Sequence, residues 1–168
     1  MKTVMISIKP EWVKKILNGE KTFEVRKTKP KCNIPFKCLI YCTKNNGGCG
    51  KVVAEFICDN IEYAPITTIK FEQLMESSCL WWDNISDYFG FEPAVKPLYF
   101  WHISNVKIYD KPKDISDYYS KKVCNGYDKD NDDCLCLGTD YMLKCKNCVG
   151  GHSQLKRPPQ SWCYIKEL

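Results

Sequence analysis

Between Val4 and Arg26 the apolar period changes from two to helical and back to two, and this constrains the fold more than any other feature. Val4, Ile6 and Ile8 alternate with Met5, Ser7 and Lys9, which predicts a half-buried strand with Ser7 and Lys9 on its polar face. Pro10 suits the first turn of a helix. Trp12, Val13, Ile16 and Leu17 form its apolar stripe, with Lys14, Lys15 and Asn18 outside it. Gly19 fits the left-handed position that ends such a helix. Residues 18 to 27, NGEKTFEVRK, then predict a second strand. Phe23 and Val25 point one way, Thr22, Glu24 and Arg26 the other, and Lys21 stands at the entrance. Charges at this density fit either a solvated sheet edge or a pocket.

Two further strands are expected at KCLIYCT (37–43) and KVVAEFIC (51–58), joined by the turn-rich NNGGCG. Residues 69–90 carry apolar positions at helical spacing and predict two short helices; a long strand follows over 97–109. From 111 to 156 the periodicity fails, which predicts an insertion held by something other than an apolar core. SWCYI (161–165) regains strand character. At 168 residues the chain fits one domain over 1–168, of α+β class with mostly antiparallel strands. No apolar run approaches the roughly 18 residues of a membrane span. The apolar stretch before Lys9 is too short for a signal-peptide core. A cytoplasmic, reducing location is therefore expected, where cysteine clusters read as metal ligands or buried thiols.

The spacing Gly19-x-Lys21-x-x-Glu24-x-Arg26, the opening SIKPEWVKKILNGEK and the closing RPPQSWCYI together resemble the ASCH family, a branch of the PUA-like superfamily. The resemblance covers residues 2–110 and 156–167. It implies a small, mostly antiparallel, PUA-like β-barrel with flanking helices, the Cys-rich insertion lying outside it. It also implies a cleft near the first helix, lined by Ser7, Lys9, Lys21, Glu24, Arg26, Gln160 and Ser161. Family members are associated with RNA or modified nucleobases, so the expected partner is RNA or a nucleotide, with no membrane. Of the 25 basic residues, only Arg26 and Arg157 are arginines, and each lies in or beside one of these stretches. A carboxylate beside a guanidinium offers acceptor and donors together, suited to a base edge. Trp162, Tyr41 or Trp12 would supply stacking surfaces.

A binding module is the first reading, and a metal-independent ribonuclease the second. In the latter Lys21 would act as acid or stabilise the transition state, Glu24 as base, and Ser161 would contribute a hydroxyl. A few relatives remove acyl groups from an acetylated cytidine with a threonine where this chain has Glu24, and a carboxylate cannot take over that hydroxyl's role. His102, on the long strand, reads as a core histidine.

The insertion carries Cys124-x9-Cys134-x-Cys136-x8-Cys145-x2-Cys148-x3-His152. Cys145 and Cys148 have the spacing of a zinc half-site. Cys134 and Cys136 would complete a structural Zn²⁺ site, with Cys124 and His152 as alternates. Cys49 could approach Cys42, whereas Cys58, Cys79 and Cys163 read as core.

Overall fold

The computed structural model describes residues 1–65, 68–81, 83–84, 98–121 and 152–166. The chain opens with β1 (Thr3–Ile8), α1 (Pro10–Leu17) and β2 (Phe23–Arg26), the order that its changing period requires. β3 (Phe36–Cys42), β4 (Lys51–Cys58), β5 (Ile61–Ala64) and α2 (Ile69–Ser77) follow. After them come β6 (Leu98–His102), β7 (Ser104–Lys113), β8 (Tyr119–Lys121), β9 (His152–Gln154) and β10 (Trp162–Lys166).

The described strands form two open sheets rather than the closed barrel that the resemblance implies. One has the order β7-β4-β3-β1-β10-β8-β9, the other β2-β6-β5. Closure fails because β2 does not pair with β1. Helix α1, about 12 Å long, carries the chain from the first sheet to the second, comparable to the ~10 Å spacing of stacked sheets. The pairing is antiparallel except between β1 and β3. One mixed and one antiparallel sheet, with two helices among the described residues, make this an α+β fold.

β1 is buried on both faces, not half-buried, because each face packs into its own apolar cluster. Val4 and Ile6 join Val13 and Ile16 of α1, Phe36, Phe56 and Trp101 in the main core. Met5 faces the opposite way into a cluster with Leu39, Tyr41, Val52, Tyr118 and Ile165. A third core packs Phe71, Leu74 and Met75 of α2 on Val25, Leu98 and Phe100 of the smaller sheet.

The single strand expected over 97–109 is two strands in different sheets. They break at Ile103, whose N–H donates to the Thr22 carbonyl at 2.9 Å. The second of the two helices expected in 69–90 falls on residues 85–90, outside the described ones. Regular structure also enters both ends of the 111–156 stretch, through the end of β7, β8 and β9.

Burial raises the thiols of Cys58 and Cys163 to about 12 and about 11. A thiol that ionises later in the folded state than in the unfolded one contributes stability below pH 9. That stability is lost as pH rises through the folded value. The thermal midpoint is therefore expected to fall steadily above about pH 9, and Cys163→Ala to flatten part of the fall. Melting curves from pH 7 to 11 check this, and parallel profiles for the two proteins would refute it.

Candidate functional site

Gly19, at φ +81°, turns the chain out of α1. The Lys21 N–H then donates to the Lys15 carbonyl at 2.9 Å, which fixes the entry to β2. The Lys21 side chain is only 2% exposed. Its Nζ donates to the Ser78 carbonyl at 2.7 Å, lies 3.5 Å from Glu24 Oε2 and stands 5.6 Å from the centre of the Trp12 ring. Ser78 caps the C-terminal end of α2, where unpaired carbonyls and the helix dipole favour a cation. Burial nonetheless pushes the Lys21 ammonium below the usual lysine range, and the Glu24 charge opposes that shift.

Glu24 and Arg26 are 7% and 6% exposed, so this strand is no solvated edge. Arg26 NH2 lies 2.9 Å from Glu24 Oε1 and donates to the Ser7 carbonyl at 3.0 Å. NH1 donates to the Ser161 carbonyl at 3.1 Å and approaches its Oγ at 3.4 Å. One guanidinium thus ties β2 to the ends of β1 and β10. Trp101 lies opposite Glu24 across β2 and β6. Its Nε1 and the Arg26 Nε are both buried, and neither has a hydrogen-bond partner among the described residues. Parity separates the strand's faces as the sequence predicts: Val25 joins the α2 core, with Phe23 packed against it.

Several other expected residues come together here, in altered roles. Ser7 contributes its carbonyl, not its hydroxyl, because Oγ donates to the Pro159 carbonyl at 2.6 Å. Ser161 contributes both oxygens. Trp162 lies beside them, its Nε1 donating to Thr28 Oγ1 at 3.0 Å and its ring 6.2 Å from that of Trp101. Lys9 and Gln160 are exposed nearby along the chain. Tyr41 cannot stack on a ligand here, since it is buried in the cluster on the other face of β1. Thr22 spends its hydroxyl on the Ser77 carbonyl at 3.2 Å. His102 is not a core residue: its Nδ1 lies 2.6 Å from Asp59 Oδ1 at the surface.

Ser78, Thr28 and Trp101 lie beside these residues and escape a reading of the sequence: Ser78 acts through its backbone, which leaves no signature, and only strand pairing sets Trp101 opposite Glu24. Cys124, Cys134, Cys136, Cys145 and Cys148 lie outside the described residues, as does the side chain of His152. Among the described residues no group of three or more His, Cys, Asp or Glu is placed to hold a metal. No helix among them is long and apolar enough to cross a membrane.

A family model described as the ASCH domain matches residues 6–130. The fold is similar to crystal structures of an ASCH protein from Zymomonas mobilis. Two of these, one a tyrosine-to-phenylalanine variant, superpose with a TM-score of 0.64 at 17% identity. The match covers 99% of this chain and 92% or 89% of the other. No curated protein matches the sequence.

Proposed function

This chain belongs to the ASCH domain family, and from that premise we propose that it binds RNA or a nucleotide in a cleft floored by Lys21, Glu24 and Arg26. The observation that carries the reading is the triad itself. Three charged side chains, each less than a tenth exposed, are costlier to bury than apolar residues of the same size. A floor with two cations and one carboxylate matches a ligand rich in acceptors, such as a phosphate or a base edge. Trp12 and Trp162 flank that floor with ring surfaces that any base can use.

Titration calorimetry with single-stranded RNA and with nucleotides tests this. The expected result is saturable binding that weakens with salt and falls at least about tenfold in Glu24→Gln. Salt-insensitive binding that the variant leaves unchanged would refute it.

A ribonuclease reading has one observation in its favour, the lowered proton affinity of Lys21, which favours a lysine in acid–base work. It requires RNA cleavage in the presence of chelator that disappears in Lys21→Ala. Acylated nucleosides are the weaker substrate, since the Thr22 hydroxyl is engaged elsewhere. For the cysteine-rich stretch we propose one structural Zn²⁺ held by Cys134, Cys136, Cys145 and Cys148. Protein purified without chelator should carry one equivalent of zinc; freely titratable thiols and no zinc would refute it.

A further inference from the structure

We propose that Cys42 and Cys49 form a dithiol site that hydrogen peroxide oxidises to a reversible disulfide, clasping the turn between β3 and β4. What the cleft binds has no bearing on it. Cys42 closes β3, where it lies opposite Lys51, the first residue of β4. Its side chain is buried, whereas Cys49, two residues before Lys51, is exposed. One sulfur of the pair is thus open to solvent and the other is sheltered.

The turn is folded so that the two side chains meet. Asn46 and Gly47 take left-handed φ of 51° and 79°, which reverses the chain, and the Gly48 N–H donates to the Asn45 carbonyl at 3.1 Å. Gly48 is then pressed on the end of β3: a Cβ there would collide with the Thr43 carbonyl oxygen and lie 2.6 Å from Pro10 Cγ. Only glycine allows so close an approach. Cys42 Sγ lies 3.8 Å from that same Thr43 oxygen. Cys49 follows Gly48 directly, and both its thiol and its backbone N–H are within hydrogen-bonding reach of the Cys42 thiol. Thiols already in contact meet the first condition for a disulfide.

Their surroundings give the two sulfurs different parts. Cys49, the exposed one, meets the oxidant first. Its thiolate attacks one peroxide oxygen, the O–O bond breaks, and Cys49 becomes a sulfenic acid while the other oxygen leaves as water. Burial, reinforced by the Cys49 thiol and the Glu11 carboxylate, holds the Cys42 thiol above the usual cysteine range, which keeps it protonated until that step. The Cys49 N–H opposes the shift and so favours the thiolate that Cys42 becomes as it attacks the sulfenic sulfur. The S–S bond forms, and the sulfenic oxygen leaves as a second water. In balance, two thiols and one hydrogen peroxide give one disulfide and two waters, and a dithiol reductant reverses the change. Because Gly48 also rests on Pro10, the closed clasp holds the turn against the start of α1.

The test treats the reduced full chain with about one equivalent of hydrogen peroxide, blocks the remaining thiols with N-ethylmaleimide in denaturant, and digests with trypsin. Cleavage after Lys37, Lys44 and Lys51 puts Cys42 and Cys49 on separate peptides, 38–44 and 45–51. A link between them reports the bond, and fragmentation tells Cys42 from Cys38. Among the described cysteines this link should form first and vanish with dithiothreitol. It should also slow amide exchange at Thr43 and Gly48 about tenfold. Cys42→Ala should stop at a sulfenic acid that dimedone traps on Cys49, and Cys49→Ser should leave Cys42 reduced. If Cys42→Ala does not fold, the exposed Cys49→Ser variant still decides. Both cysteines carrying N-ethylmaleimide while other described thiols are oxidised would overturn the proposal. So would a link that joins two chains, or exchange that the link leaves unchanged.

Discussion

Glu24→Ala is expected to lower folding stability by about 3–5 kcal/mol, the range for removing one partner from a buried charge cluster. Glu24 is the shared anion of two buried cations, 2.9 Å from the Arg26 guanidinium and 3.5 Å from the Lys21 ammonium. Without it, two positive charges face each other in a site that excludes water. Lys21 can lose its proton, since burial already lowers its affinity for one, but Arg26 cannot. Urea denaturation at neutral pH, with an unchanged slope and a lowered midpoint, is the measurement. The triple change Lys21→Met/Glu24→Leu/Arg26→Met should restore stability or exceed it, because apolar replacement of a whole buried cluster is often neutral or favourable. Restored stability without ligand binding would separate the triad's function from its contribution to folding.

Arg26→Lys is the second large effect, even though it conserves charge. The guanidinium serves Ser7 O, Ser161 O and Glu24 at once through a planar fork. An ammonium on a shorter reach cannot meet acceptors on β1 and β10 together. Each hydrogen bond to a charged group is worth about 1.5–3 kcal/mol, so losing even one is measurable. The junction where the Ser7 N–H donates to the Ser161 carbonyl at 3.2 Å should loosen. Amide exchange at Ser7 is expected to accelerate more than exchange in β3 or β4, and RNA affinity to fall with it. Uniform exchange across the sheet would argue that Arg26 has no special part in joining the strands.

Local structure was legible where period and punctuation agreed. Pro10, the stripe through Ile16 and Gly19 delimit α1 closely, and the parity of FEVR separates Val25 from Glu24 and Arg26 as the structure does. What the sequence could not convey was burial in the third dimension. VMISIK reads as half-buried because Ser7 and Lys9 are polar, yet β1 is an inner strand whose second face is covered by Tyr118 and Ile165, far along the chain. The open sheets were equally hidden, since nothing local tells β2 to pair with β6 rather than β1. Ile103 carries no mark of the break that sends one apolar run into two sheets.

At the site, the motif's residue types were readable and their roles only partly so. A serine can be read as a hydroxyl, but Ser7 acts through its carbonyl, as Ser78 does for Lys21. Tyr41 looked like an available ring until register placed it on the far face. Backbone acceptors and strand partners are set by tertiary pairing, and spacing along the chain does not encode them.

The central claim is that the buried triad floors a cleft for RNA or a nucleotide, with Trp12 and Trp162 beside it. It is tested most directly by following the two indole N–H resonances, assigned through Trp12→Phe and Trp162→Phe, during titration with a short single-stranded RNA such as a uridine hexaribonucleotide. Both signals are expected to shift and saturate with one dissociation constant, and the shifts to vanish in Arg26→Lys. Binding that leaves both indoles unmoved would contradict the claim and place the ligand elsewhere on the protein.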